Sequence, residues 1–203
     1  MKNKILFETS VQSNQEVHEQ LNPQLNTAQN RQTDKLRIGI PRGLNMFENF
    51  PFWKTLFEGF GIEVVLSPES DLKMYQRGVG SVMSDNICFP AKLGQGHIFS
   101  LIESKVDRIF YPIVPKEEKE FDKTNNSFNC PLVSGYPDVI RSAIDPQANY
   151  GIHYDSPVMN FANESVLKRQ CYDYLKSIIK TDKSNKFTNL FTNKKIKNFD
   201  AIF

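Results

Sequence analysis

Leu36-Arg-Ile-Gly-Ile-Pro41 is a short apolar run closed by proline, and it predicts the first strand of a sheet. Asn49 to Gly61 then carries Phe52, Leu56 and Phe60 at four-residue spacing, the single apolar stripe of a helix, with Pro51 near its first turn and Gly61 as its left-handed stop. Ile62 to Ser67 reads as a second strand ended by Pro68, and Ser70 is placed to cap a short helix that runs to about Gly78. A longer helix, opened by Pro90, spans Phe89 to Lys105. Its Gly94 and Gly96 each weaken it by roughly 1 kcal/mol relative to alanine, which implies that something approaches that helix closely. Val106 to Pro112 gives a third strand. The charged Lys116 to Lys123 segment and Asn125-Asn126 read as a solvated loop, followed by a helix around Tyr136 to Ala143 and a strand at Val158 to Phe161. The last helix starts at the cap Asn163, shows Leu167, Cys171, Leu175 and Ile178 on one face, and runs out near Lys180. Strands alternating with helices predict an α/β fold, a Rossmann-like parallel sheet with helices on both faces.

The pattern fades at both ends. Residues 1–34 hold 11 Asn or Gln, no Gly and few large apolar side chains after Val17, which is too little to order a chain; they read as a flexible leader or linker. Residues 181–203 hold five Lys and two Asp, with Phe residues at no clear period, and read as a polar, Lys-rich tail. The folded unit is expected over residues 35–180. With 39% hydrophobic and 24% charged residues in 203, the chain has enough apolar surface for one domain or slightly more. A net charge of +2, with no dense basic run before the tail, argues against nucleic acid as a partner. Three cysteines do not make a disulfide framework and fit a reducing, cytoplasmic setting. The start lacks the apolar core of a signal peptide, and no stretch approaches a membrane span in length.

Open α/β sheets bind ligands at the carboxyl ends of their strands, and three candidate sites fall there. The first is the loop Ile40 to Asn45, where Gly43 permits close backbone approach and Arg42 suits an anionic group; it lacks the three spaced glycines of a dinucleotide site, and a plain strand-to-helix turn is the better account of Gly43. The second is Ser84 to Lys92. Cys88 precedes a proline-opened helix, where the positive end of the helix and Lys92 favour the thiolate needed for metal binding or attack; the alternative, a buried structural cysteine, fits its polar neighbours Ser84, Asp85 and Asn86 less well. The third is Asn129-Cys130-Pro131, after the third strand, so that the two cysteines can converge above one sheet edge. No Cys-x-x-Cys is present, which excludes compact zinc and ferredoxin spacings and leaves only a site assembled from distant loops. His97 can face the same opening, although a packed or surface position is the commoner state of a lone histidine, whereas Cys171 lies in an apolar stripe and reads as core; His18 and His153 have no evident partner. No Ser-His-Asp arrangement, carboxylate pair or phosphate-binding glycine-lysine motif stands out, which disfavours a hydrolase or a self-contained ATPase.

Longer phrases sharpen this picture. Ile38 to Trp53 (Ile-Gly-Ile-Pro-Arg-Gly-Leu-Asn-Met-Phe-Glu-Asn-Phe-Pro-Phe-Trp), Cys88-Phe-Pro-Ala-Lys92 with Gly96-His97, Ile109 to Pro112, and Asn129 to Pro137 resemble the DUF2229 domain carried by large acyl-CoA dehydratase activase proteins. That domain is similar to the catalytic subunits of 2-hydroxyacyl-CoA dehydratases. The resemblance covers residues 36 to 180. It implies a Rossmann-like fold, low-potential electron transfer, and a [4Fe-4S] cluster held by cysteines from separate loops. Cys88 and Cys130 take ligand positions, with Arg42, Gly43, Lys92 and His97 as the cofactor-binding candidates around them. Implied partners are an ATP-dependent activase module or subunit and a CoA-thioester substrate. The family's usual third cysteine position holds Ile113 here, so thiolate ligation stops at two, and a four-iron cluster needs a further ligand from Cys171, a non-protein group or a partner chain. The family's ATPase domains have no counterpart in the sequence, which then corresponds to one module, separate or truncated, with residues 1–34 as an inter-module linker. Two alternatives follow: a cluster-free binding or docking module whose site has decayed, and a zinc site of Cys88, Cys130 and His97.

Overall fold

A computed structural model describes residues 35–123, 125–181, 199 and 203. The expected leader at 1–34 lies outside the described residues, as does the tail beyond Thr181 apart from Phe199 and Phe203.

The sheet is built of short, apolar strands. β1 (Arg37–Ile40), β2 (Glu63–Leu66), β3 (Arg108–Phe110) and β5 (His153–Asp155) pair in parallel in the order β2-β1-β3-β5. β4 (Ile113–Lys116) and β6 (Val158–Asn160) form a second parallel pair that continues β3 and β5. Pro112 and Pro157 interrupt the strands because proline has no N–H to give to a ladder. The pairing survives on either side of them through Tyr111 N–H to the Asp155 carbonyl and Ile113 N–H to the Pro157 carbonyl, both at 2.9 Å.

Seven α-helices lie between and after these strands among the described residues: α1 (Met46–Gly59), α2 (Leu72–Gly78), α3 (Phe89–Lys92), α4 (Gly94–Glu103), α5 (Pro131–Ala143), α6 (Pro146–Tyr150) and α7 (Glu164–Thr181). Successive strand residues point to opposite faces, and all of Ile38, Gly39, Ile40 and all of Arg108, Ile109, Phe110 are buried, so both faces of the sheet are covered. On one face the Phe110 ring meets Trp53 and Phe57 of α1 and Tyr174 of α7, at centroid distances of 4.7, 5.1 and 4.9 Å. On the other, Gly39 lies against Leu101 of α4, and the Tyr154 hydroxyl donates to the Pro137 carbonyl of α5 at 2.9 Å. The α/β fold with a parallel sheet and helices on both faces is therefore as expected.

The local differences have physical causes. α1 begins at Met46, one turn earlier than its stripe suggests, and carries Pro51 within it; Gly61 does provide the left-handed stop, at φ 79°. Asp71, not Ser70, caps α2 by accepting Met74 N–H at 2.7 Å, because Ser70 is used elsewhere. The helix expected over Phe89 to Lys105 is two, α3 and α4, joined at Leu93. The close approach implied by its glycines is present: a Cβ on Gly94 would run into the Tyr136 ring, and one on Gly96 into the Met74 carbonyl. α5 starts at Pro131 rather than Tyr136, which makes Cys130 its N-cap residue. β4, β5 and α6 have too few residues to show a period, and His153, read as loop, lies exposed on β5. Asn163 caps α7 as expected, its side chain accepting Val166 N–H at 3.0 Å. Phe199 is buried against Phe60 and Tyr172, and Phe203 meets Phe52, so two of the aperiodic tail phenylalanines pack on α1 and α7. No helix among the described residues is long and apolar enough to cross a membrane.

Candidate functional site at the carboxyl edge of the sheet

From β1 the chain moves outward to β2 and then returns to the other side as β3, so the strand order reverses between β1 and β3. That is where an open α/β sheet leaves its crevice. The loop leaving β1 there is tightly built. Leu44 stands at φ 52°, a left-handed conformation that costs a non-glycine residue of order 1 kcal/mol. The first N–H groups of α1 turn back onto the loop's own carbonyls, Met46 to Gly43 and Phe47 to Leu44, both at 3.1 Å. The helix start is thereby closed to other acceptors at those two groups.

Arg42, Gly43 and His97 come together at this loop. The Arg42 backbone N–H donates to Ser67 Oγ at the end of β2, at 2.7 Å. Its guanidinium lies over the Phe50 ring, 5.6 Å from the centroid, and its Nη2 meets Glu69 Oε1 at 3.1 Å. A Cβ on Gly43 would sit 3.2 Å from the His97 ring, a contact that the missing side chain keeps relaxed. His97, on α4, is fully buried, with Nδ1 2.8 Å from Ser67 Oγ and Nε2 3.0 Å from Ser70 Oγ. Because Ser67 Oγ already accepts from Arg42, the assignment that uses each proton once has Ser67 O–H donating to Nδ1 and Nε2–H donating to Ser70. Burial, reinforced by the charge of Arg42, lowers the His97 pKa to about 4. The ring is neutral at neutral pH and ties the β2–α2 loop to α4.

The two candidate thiols occupy equivalent places. Cys88 is the N-cap residue of α3 and Cys130 that of α5; both are exposed, and α3 packs against α5. Tyr136, on α5, is buried with its hydroxyl donating to Gln95 Oε1 at 2.7 Å. Burial pushes its phenol up to about 12; the bond to Gln95 opposes the shift and the charge of Cys88 adds to it. Lys92 Nζ donates to the Asp85 carbonyl at 2.9 Å, bracing the segment that leads into Cys88. The segment leading into Cys130 is held by Glu117: Asn129 Nδ2 donates to Glu117 Oε1 and to the Val114 carbonyl, both at 2.8 Å, and Asn49 Nδ2 donates to the same carboxylate at 3.2 Å. Glu117 is hidden from sequence reading inside a charged segment that looks like any solvated loop, and only the fold shows it joined to Asn45, Asn49 and Asn129.

Cys171 is buried in the core as expected, its thiol pushed up to about 12 by burial. Ile113 is half-buried on β4. Among the described residues no group of three or more His, Cys, Asp or Glu is placed to hold a metal ion. His97 has both ring nitrogens engaged by serines, so a zinc arrangement of Cys88, Cys130 and His97 is not formed. A four-iron cluster takes four ligands, and the two exposed thiols offer half of that set; the described residues alone do not complete it.

Residues 37–197 match the family model described as CoA enzyme activase uncharacterised domain, DUF2229. No curated protein and no solved structure matches the chain. The match runs from the first residue of β1 through every element and site residue described above, and the chain belongs to the DUF2229 family.

Proposed function

We propose that this chain is the iron–sulfur redox module of a CoA-thioester system of the 2-hydroxyacyl-CoA dehydratase type, working with an ATP-driven activator. In this reading Cys88 and Cys130 supply two thiolates to a cluster, and the rest of the ligand set comes from outside the described residues. The observation that carries the reading is the matched placement of the two thiols, each exposed at the N-cap of one of two helices that pack together beside the carboxyl edge. Thiolates are the ligands that iron–sulfur clusters require. Glu117 through Asn129, and Lys92 through Asp85, brace the segments that lead into the two cysteines. Membership of a CoA enzyme activase family supports the CoA-linked setting.

A second reading is a cluster-free docking module. It is favoured by exposed apolar side chains next to Cys88 in the chain: Phe89 is exposed, with its ring 5.3 Å from that of Tyr75, and Met83 is exposed five residues before Cys88. One experiment separates the two: iron and acid-labile sulfide per chain on protein purified or reconstituted without oxygen, beside Cys88→Ser, Cys130→Ser and Cys171→Ser. Iron with matching sulfide, lost in the first two variants and kept in the third, supports the redox module. No iron in the parent chain with its activator present overturns it in favour of docking, and iron retained in both of the first two variants overturns the assignment of Cys88 and Cys130 as ligands.

A further inference from the structure

Arg42 presents an unusual combination. Its side chain is only 18% exposed, yet its one carboxylate partner among the described residues, Glu69, is 86% exposed and reaches it with a single oxygen. Nε of the same guanidinium is buried and has no hydrogen-bond partner among the described residues. Nε and Nη2 lie on one edge of the guanidinium, the edge that grips a two-oxygen anion side-on through two parallel N–H bonds. Glu69 fills half of that edge. A buried donor left without an acceptor is costly, so the fold maintains an unsatisfied group at the place where its strand order reverses.

The surroundings suit an anion. The neighbouring imidazole of His97 is neutral, and its two nitrogens are engaged by Ser67 and Ser70. Gly43 adds no side chain between the loop and that ring. The carboxylate of Glu117 is engaged by the amides of Asn45, Asn49 and Asn129. The Phe50 ring below the guanidinium holds its plane.

We propose that the Nε–Nη2 edge of Arg42 binds a carboxylate or phosphate group of a small ligand, and that the carboxylate of Glu69 stands in for that group when the ligand is absent. The site uses neither cysteine, so it stands or falls independently of the iron–sulfur reading.

Inorganic phosphate and propionate serve as the two probes. Each is titrated into the full chain while the side-chain Nε–H resonance of Arg42, assigned by its absence in Arg42→Lys, is followed by 15N-resolved NMR, with affinity measured by calorimetry. A saturable downfield shift of that resonance with either probe is expected, and the probe giving the tighter binding identifies whether the ligand group is a phosphate or a carboxylate. Glu69→Gln, which removes the internal competitor, should tighten binding several-fold. Arg42→Lys keeps the charge but loses the fork, and should weaken binding about tenfold. An Nε–H resonance that moves with neither probe overturns the proposal, as does binding that Glu69→Gln leaves unchanged or weakens. Because Glu69 is an exposed side chain, that variant keeps the test valid even if Arg42→Lys folds poorly.

Discussion

Two arginines of this molecule, Arg108 and Arg42, are both largely withdrawn from water and are partnered in opposite ways. Arg108 lies within the sheet and gives Nε and Nη2 to the two oxygens of Asp155 at 2.7 and 2.8 Å, while the Tyr174 hydroxyl adds a third bond to the same carboxylate at 3.0 Å. Burial alone would lower the Arg108 pKa, but the bond and charge of Asp155 more than offset it, and the pKa is raised. Arg42 offers the same edge to solvent-exposed Glu69 and leaves Nε without a partner among the described residues. The first pair staples β3, β5 and α7. The second belongs to a loop that also holds Leu44 in a left-handed conformation and the buried Oδ1 of Asn45, which has no hydrogen-bond partner among the described residues. A chain able to complete an arginine fork in its interior leaves one incomplete at the carboxyl edge of its sheet, which is the expected signature of groups kept for something other than stability.

The comparison breaks most sharply at Asp155. Asp155→Ala leaves the Arg108 guanidinium buried and uncompensated and should cost about 3 to 5 kcal/mol of folding stability, because removing one member of a buried pair forfeits more than the pair itself contributes. Urea unfolding of the variant beside the parent chain measures it. A loss below about 1 kcal/mol would place Arg108 in the same class as a surface ion pair and remove the contrast.

His97 supplies the next largest effect, and its sign is fixed by burial. The unfolded chain binds a proton on this histidine near pH 6.5, whereas the folded chain binds one only near pH 4. Between those values the unfolded state holds more protons, so stability is complete above pH 6.5 and falls as the pH drops toward 4, by on the order of 3 kcal/mol from this residue. The difference in pH slope between the parent and His97→Gln isolates this contribution from the carboxylates that titrate in the same range. Equal slopes would mean that the imidazole is not held neutral between Ser67 and Ser70.

Glu117→Ala ranks third, at about 1 to 3 kcal/mol, since it strips the acceptor from Asn129 and Asn49. It should also change the rate at which Cys130 is alkylated while leaving Cys88 unaffected, which mass spectrometry of the labelled chain reads directly. An unchanged Cys130 rate would show that the Val114 carbonyl and the start of α5 suffice to hold that segment.

The ranking also shows what sequence can and cannot reveal. β1, β2 and α7 announce themselves through apolar spacing and punctuation at Pro41, Pro68 and Asn163, all local properties. The close approaches at Gly94 and Gly96 are legible as a cost in a helix that must be repaid by packing, although the partners, Tyr136 and Met74, are not. β4 and β5 escape because three- and four-residue strands interrupted by Pro112 and Pro157 show no alternation. At the site, residue types expose Cys88, Cys130, Arg42 and His97 as chemistry-bearing. The partners that decide what they do lie far off in sequence: Ser67 is 30 residues from His97, and Glu117 is 68 from Asn49. Ser70 illustrates the limit best, since its position suits a helix cap while its hydroxyl serves His97, leaving the cap to Asp71.

The smallest effect is the most telling for the comparison. Arg42→Ala should cost the fold about 1 kcal/mol or less, because the interaction it removes is with one oxygen of an exposed carboxylate and is screened by water. The bond from the Arg42 backbone to Ser67 survives the substitution, so the histidine–serine link beneath it keeps its anchor. Urea unfolding in low and high salt tests this, and a cost as large as that of Asp155→Ala would mean that the guanidinium supports the fold through its contact with Phe50. A near-zero cost would leave a mostly buried cation, with an unpaired donor, that folding does not require. A ligand anion would then be what gives that arrangement its use, and the loss from Arg42→Ala should appear in phosphate or propionate binding instead of in stability.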